Sequence, residues 1–225
     1  MGMSLPGRPK GEYRNAQREG TPVNPGALVA AVCLWAATVG NLALWRELHR
    51  LSLLQGVAGV VLALGLVIGI AAASGLLLSV LVWRRTLKPA LVLALFVCAG
   101  ASHFMLSFGV VLDPGMLVNV LQTDGHEAAD LLNWRLAAHL LLLGGLPALW
   151  VLRRPVSFET WPRRAVSNLK LAVVSLLLVG TAVLAAFQPL ASAVRNHREL
   201  RYLVNPLNLA WAIDALWRRR EPAWA

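Results

Sequence analysis

The sequence predicts an all-α integral membrane protein, five transmembrane helices with short surface helices, and three observations predict its class. Of 225 residues, 57% are apolar and 14% charged, and the mean hydropathy is +0.61, well outside the composition of a soluble domain. The apolar residues are gathered into runs of about 20, the length that crosses ~30 Å of hydrocarbon. None of these runs alternates with period two, and lipid offers no partners to backbone amides, so each run is read as a helix.

Residues 1–25 carry Pro6, Pro9, Pro22 and Pro25 with several glycines and charges and no apolar periodicity, so they form an N-terminal tail. The first run, 26–45, lies too far from the start and is too long for a signal-peptide core, which makes it a retained span. Further runs cover 57–83, 89–112, 131–152 and 171–190. The division expected is therefore a tail at 1–25, a five-helix membrane domain at 26–190 and a polar segment at 191–225. Gly65 and Gly69 in the second run form a Gly-x-x-x-Gly, a pattern that lets two helices approach closely.

Charge placement gives orientation. The tail and the connections at 84–88 and 153–170 hold Arg8, Lys10, Arg14, Arg18, Arg84, Arg85, Lys88, Arg153, Arg154, Arg163, Arg164 and Lys170, whereas the opposite connections hold Arg46, Arg50 and Arg135. This imbalance puts the N-terminus in the cytoplasm and the segment after the fifth span outside; Arg195, Arg198, Arg201 and Arg218 to Arg220 in that segment oppose the bias, but the rule weakens for charges beyond the last span. Trp45, Trp83, Trp134 and Trp150 stand near span ends, where an indole suits the interface. The net charge of +10 flanks apolar runs and forms no basic stripe, which points to anionic lipid headgroups and away from nucleic acid. Cys33 and Cys98 both sit inside apolar runs and supply neither a disulfide framework nor a thiolate metal site.

The outer connection 113–130 collects Asp113, Asp124, Glu127 and Asp130. Asp113-Pro114 reads as an N-cap followed by proline in the first turn, so a surface helix is expected to start there. Asn119, Thr123 and Glu127 are spaced four and four, which puts them within about an 80° sector of a continuing helix. A carboxylate, an amide and a hydroxyl on one face suit a zwitterionic headgroup: the carboxylate pairs with an ammonium, and the others hydrogen-bond to phosphate or glycerol oxygens. The same spacing suits a face that is simply wet, and Gly125 is a place for the helix to break before Glu127. His103, His126 and His139 are scattered, with no His-x-x-x-His and no Cys-x-x-Cys, so the zinc reading is weak. His103 and His139 read as helix-packing or pore-facing polar residues. No Gly-x-Ser-x-Gly or Gly-rich phosphate loop is present to suggest a hydrolase or a nucleotide enzyme.

Two long motifs add a resemblance. The stretch Gly109-Val110-Val111-Leu112-Asp113-Pro114-Gly115-Met116-Leu117-Val118-Asn119-Val120-Leu121-Gln122-Thr123-Asp124, continued by Glu127-Ala128-Ala129-Asp130-Leu131, resembles the N-terminal membrane domain of the phosphoethanolamine transferases, which include lipid A modifying enzymes and the mobilised colistin-resistance proteins. Arg195-Asn196-His197-Arg198-Glu199-Leu200-Arg201-Tyr202-Leu203-Val204-Asn205-Pro206-Leu207-Asn208 resembles the segment after that family's fifth span. The likeness covers roughly residues 25–208.

The resemblance implies a bacterial inner-membrane protein, with a cytoplasmic N-terminus and a periplasmic C-terminus. Its family moves phosphoethanolamine from phosphatidylethanolamine to lipid A through a phosphothreonine. It also implies that Asn119, Thr123 and Glu127 hold the donor headgroup, which favours headgroup contact over the wet face, and that residues 191–225 begin a bridge to a periplasmic catalytic domain. The family's nucleophile and zinc ligands belong to that soluble domain, so the expectation is of no catalytic centre, metal or cofactor on this chain, with zinc on the domain it lacks. The chain is then a fragment, a truncated product or a stand-alone membrane domain. Phosphatidylethanolamine, lipid A and the bilayer are its expected partners. The alternative is a non-enzymatic remnant or lipid-binding inner-membrane protein.

Overall fold

The computed structural model describes residues 22–109 and 133–208. Five helical segments in it are long and apolar enough to cross a membrane: Pro25–Arg50, Gly56–Ser79, Leu87–Ser107, Trp134–Arg153 and Trp161–Ala185. No strand occurs among the described residues; a single isolated bridge pairs Val23 with Val156.

The first span is built from α1 (Pro25–Thr38), a 3-10 turn at Val39–Asn41 and α2 (Leu42–Arg50). Asn24 starts it, its side chain accepting from the Gly26 amide at 2.8 Å, with proline in the first turn where a missing N–H costs nothing. The second span is α3 (Gly56–Ser79) and the third is α4 (Leu87–Phe108). Gly109 closes α4 with φ +63°, a left-handed conformation glycine adopts without penalty, so the helix stops short of the apolar run's end at 112. The fourth span joins α5 (Trp134–His139), a π-helical turn at Leu140–Gly145 and α6 (Leu146–Arg153), capped by the Asn133 side chain on the Leu136 amide at 2.9 Å.

The fifth span departs most from the apolar run at 171–190. Helix α7 (Trp161–Ala185) starts ten residues before that run, breaks at Ala186 and is followed by α8 (Phe187–Asn196) and a 3-10 turn at Arg198–Leu203. Hydropathy marks the stretch that lipid surrounds, whereas the helix begins where its backbone and polar side chains are satisfied. Pro162 lies in the first turn, and the buried Arg164 and Asn168 both donate to the Val82 carbonyl, each at 3.0 Å. The cationic stretch expected in the connection is thus largely helix.

The first span is the central staff of the bundle. In its most apolar stretch 56% of the residues are buried, against 17% in the fifth span, whose Leu169, Leu176 and Leu177 face outward. Leu28, Val29, Val32 and Cys33 pack with Val82, Leu87, Leu91, Leu95, Ala148 and Val151. Farther along the same span, Ala37, Ala43, Leu44 and Leu48 pack with Leu62, Ile70, Met105, Ala193, Leu200 and Leu203. Helix α3 lies against α7 through the glycine pair: a Cβ on Gly65 would stand 2.5 Å from the Cβ of Ala186, and one on Gly69 3.7 Å from that of Ala182. Gly65 is therefore required for the close approach.

Candidate lipid-handling site

The bundle has two unlike ends. At one, α3 turns into α4 and α6 into α7, bringing together Arg84, Arg85, Lys88, Arg153, Arg154 and Arg163; this is the basic end. Trp83 and Trp161 stack there with ring centroids 6.0 Å apart, and Lys88 donates to the Leu152 carbonyl at 2.8 Å. At the other end α4 stops at Gly109, α5 starts after Asn133, and the chain after α8 folds back onto the first span.

That return is fastened by three asparagines. Asn41, Asn205 and Asn208 are each no more than 1% exposed. The 3-10 turn at Val39–Asn41 interrupts the first span, and Asn41 supplies the amide that the broken helix needs: its Nδ2 donates to the Ala36 carbonyl at 2.7 Å and to the Asn205 carbonyl at 2.9 Å. Its Oδ1 accepts from the Asn205 backbone N–H at 2.8 Å. The Asn205 side chain donates to the Gly40 carbonyl at 3.1 Å, lies 4.0 Å from the Met105 sulfur, and accepts from Asn208 Nδ2 at 2.8 Å. Asn208 Nδ2 also donates to the Tyr202 carbonyl at 3.1 Å. A network of this kind fixes one position and register, because any slip leaves buried amide groups unpaired.

Beside the clamp, Trp45 Nε1 donates to the Ala37 carbonyl at 3.1 Å, and Arg46 reaches the Leu106 carbonyl at 3.3 Å. The first span is in this way tied to the last turn of α4. His103 and His139, which sequence spacing leaves apart, come together between α4 and α5 with ring centroids 5.2 Å apart. Their Nε2 atoms and the Ser102 hydroxyl are buried without hydrogen-bond partners. Among the described residues no three His, Cys, Asp or Glu side chains are grouped to hold a metal ion, so these residues do not fit a zinc centre. Asn119, Thr123 and Glu127, and the surface helix expected from Asp113, lie outside the described residues; the helices flanking their segment, α4 and α5, both meet it at the asparagine end.

Asn41 is the residue that sequence reasoning missed. A lone asparagine inside an apolar span was the available signal, since an unpaired amide at that depth is costly.

A profile described as phosphoethanolamine transferase EptA/EptB matches residues 70–220, from within α3 through the asparagine clamp. The chain belongs to this family. Phosphatidylethanolamine transferase Mcr-1 of Escherichia coli is 35% identical to it over 196 residues, which are 86% of this chain and 36% of that protein. Phosphoethanolamine transferase EptA of Salmonella typhimurium is 29% identical over 147 residues, 64% of this chain and 26% of that relative. The solved integral membrane lipooligosaccharide phosphoethanolamine transferase A (EptA) from Neisseria meningitidis superposes with a TM-score of 0.78 at 25% identity, over 89% of this chain and 38% of that one. The chain thus spans well under half the length of these phosphoethanolamine transferases.

Proposed function

We propose that this chain is the membrane domain that holds phosphatidylethanolamine at the asparagine end of the bundle for transfer of its phosphoethanolamine to lipid A. One observation carries the reading. The Asn205 side chain reaches Met105, one turn before Gly109, which supports a bridge docked beside the point where the segment bearing Asn119, Thr123 and Glu127 follows α4. In this reading Glu127 pairs with the donor ammonium, while Asn119 and Thr123 hydrogen-bond to phosphate or glycerol oxygens. The tail at 1–25 is cytoplasmic, 26–190 spans the bacterial inner membrane, and 191–225 is the periplasmic bridge. The phosphotransfer chemistry is assigned to a periplasmic catalytic domain, with its zinc.

The test uses the purified chain in bilayers containing a photoreactive phosphatidylethanolamine. Losing a charge-assisted hydrogen bond costs ~1.5 to 3 kcal/mol, so Asn119→Ala/Glu127→Ala should lower capture by about ten- to a hundredfold. Capture equal to that of the unaltered chain overturns the headgroup assignment. The chain alone is expected to leave lipid A unmodified, and lipid A modification by it would overturn the assignment of the chemistry elsewhere.

A further inference from the structure

A groove of about 530 Å³ runs along the bundle between α1, α3 and α4, on a different flank from the His103–His139 pair. Its mouth is at the basic end, beside Arg85; Leu81 and Leu93 form walls, Ala94 and Cys98 the floor, and Pro206 closes the far end. From Leu87 to Cys98, α4 rises about 17 Å at 1.5 Å per residue, close to the hydrocarbon depth of one leaflet, half of ~30 Å. The polar groups along it make no demand on an occupant. Ser74 Oγ donates to the Ile70 carbonyl at 2.7 Å and Thr86 Oγ1 to the Leu81 carbonyl at 2.7 Å. The exception is Arg85, exposed at the mouth, with no ion-pair or hydrogen-bond partner among the described residues.

An apolar slot one leaflet deep with a free guanidinium at its entrance is complementary to a phospholipid: dry walls for a chain, and a planar donor fork for the phosphate. We propose that this groove holds one acyl chain of a phospholipid from the leaflet at the basic end, with the lipid phosphate on Arg85. It is a second lipid site, opposite in leaflet to the donor site and independent of that reading. The chain terminus meets Pro206, the residue after Asn205, so the bound lipid completes the packing beneath the docked bridge.

The experiment uses the full chain in nanodiscs containing phosphatidylethanolamine and phosphatidylglycerol that carry a diazirine at the end of one acyl chain. Peptide mapping should place the label near Cys98 and Pro206. Ala94→Trp fills the groove and should cut that label at least fivefold, whereas Leu169→Trp, on the outward face of α7, should leave it within twofold. Arg85→Glu should cut it at least threefold, while labelling of the groove by an alkyl maltoside with the same diazirine, which lacks a phosphate, stays within twofold. If Ala94→Trp does not fold, Ala90→Phe blocks the slot one turn nearer the mouth. Unchanged labelling in the blocked variant overturns the chain site. Unchanged phospholipid labelling in Arg85→Glu overturns the phosphate contact and leaves an adaptable surface that any alkyl chain fills.

Discussion

Replacing Asn41 by leucine tests the clamp directly, because the branching at Cγ is kept and the hydrogen bonds are not. The change removes the donors to the Ala36 and Asn205 carbonyls and the acceptor for the Asn205 N–H. Two backbone groups of Asn205, a residue 1% exposed, are then left unpaired. An orphaned buried group costs ~1 to 3 kcal/mol, while polar pairs within membrane bundles average nearer ~0.6, because the loosened state finds other partners. A net loss of about 2 kcal/mol is expected. Asn41→Asp should do no better despite its matching shape, since it keeps the acceptor for the Asn205 N–H but turns an oxygen towards two carbonyls. Reversible unfolding in mixed dodecyl maltoside and SDS reads the loss, and limited proteolysis after Asn196 reads release of the segment that follows α8, which should become several times faster. If Asn41→Leu is as stable as the unaltered chain and that segment is cut no faster, the hydrogen bonds do not hold it against the first span.

Topology is checked by single cysteines in a background with Cys33 and Cys98 replaced by alanine: Arg84→Cys and Glu159→Cys should react with a membrane-impermeant maleimide only in inverted vesicles, and Ser52→Cys in intact spheroplasts. The reverse pattern would invert the proposed orientation. Two glycines differ in the space around them. Gly65→Leu drives a side chain into Ala186 and should cost ~1 to 3 kcal/mol of stability, while Gly180→Ala meets nothing within 4 Å and should be neutral or gain up to ~1 kcal/mol in helix propensity. Equal melting of the two variants would mean that α3 and α7 do not pack as described.

The sequence by itself determined the class and the number of spans, because a bilayer imposes a length and a composition that no soluble element needs. Two of its motifs, at 109–131 and 195–208, carry the likeness to the family. Helix boundaries were less legible: apolar runs record contact with lipid, whereas α7 begins at Trp161 because Arg164 and Asn168 find the Val82 carbonyl across the bundle. The tertiary structure alone decided that Asn41 and Asn205, separated by 164 positions, share hydrogen bonds, that His103 meets His139, and that α1, α3 and α4 leave a slot beside Arg85. The physical reason is common to all three. Hydropathy and periodicity are properties of one segment in its solvent, but a buried amide, an imidazole pair or an empty volume is defined by which segments pack against each other. That choice is made by close contacts such as Gly65 on Ala186, which depend on the shapes of both partners and leave no periodic trace in either segment alone.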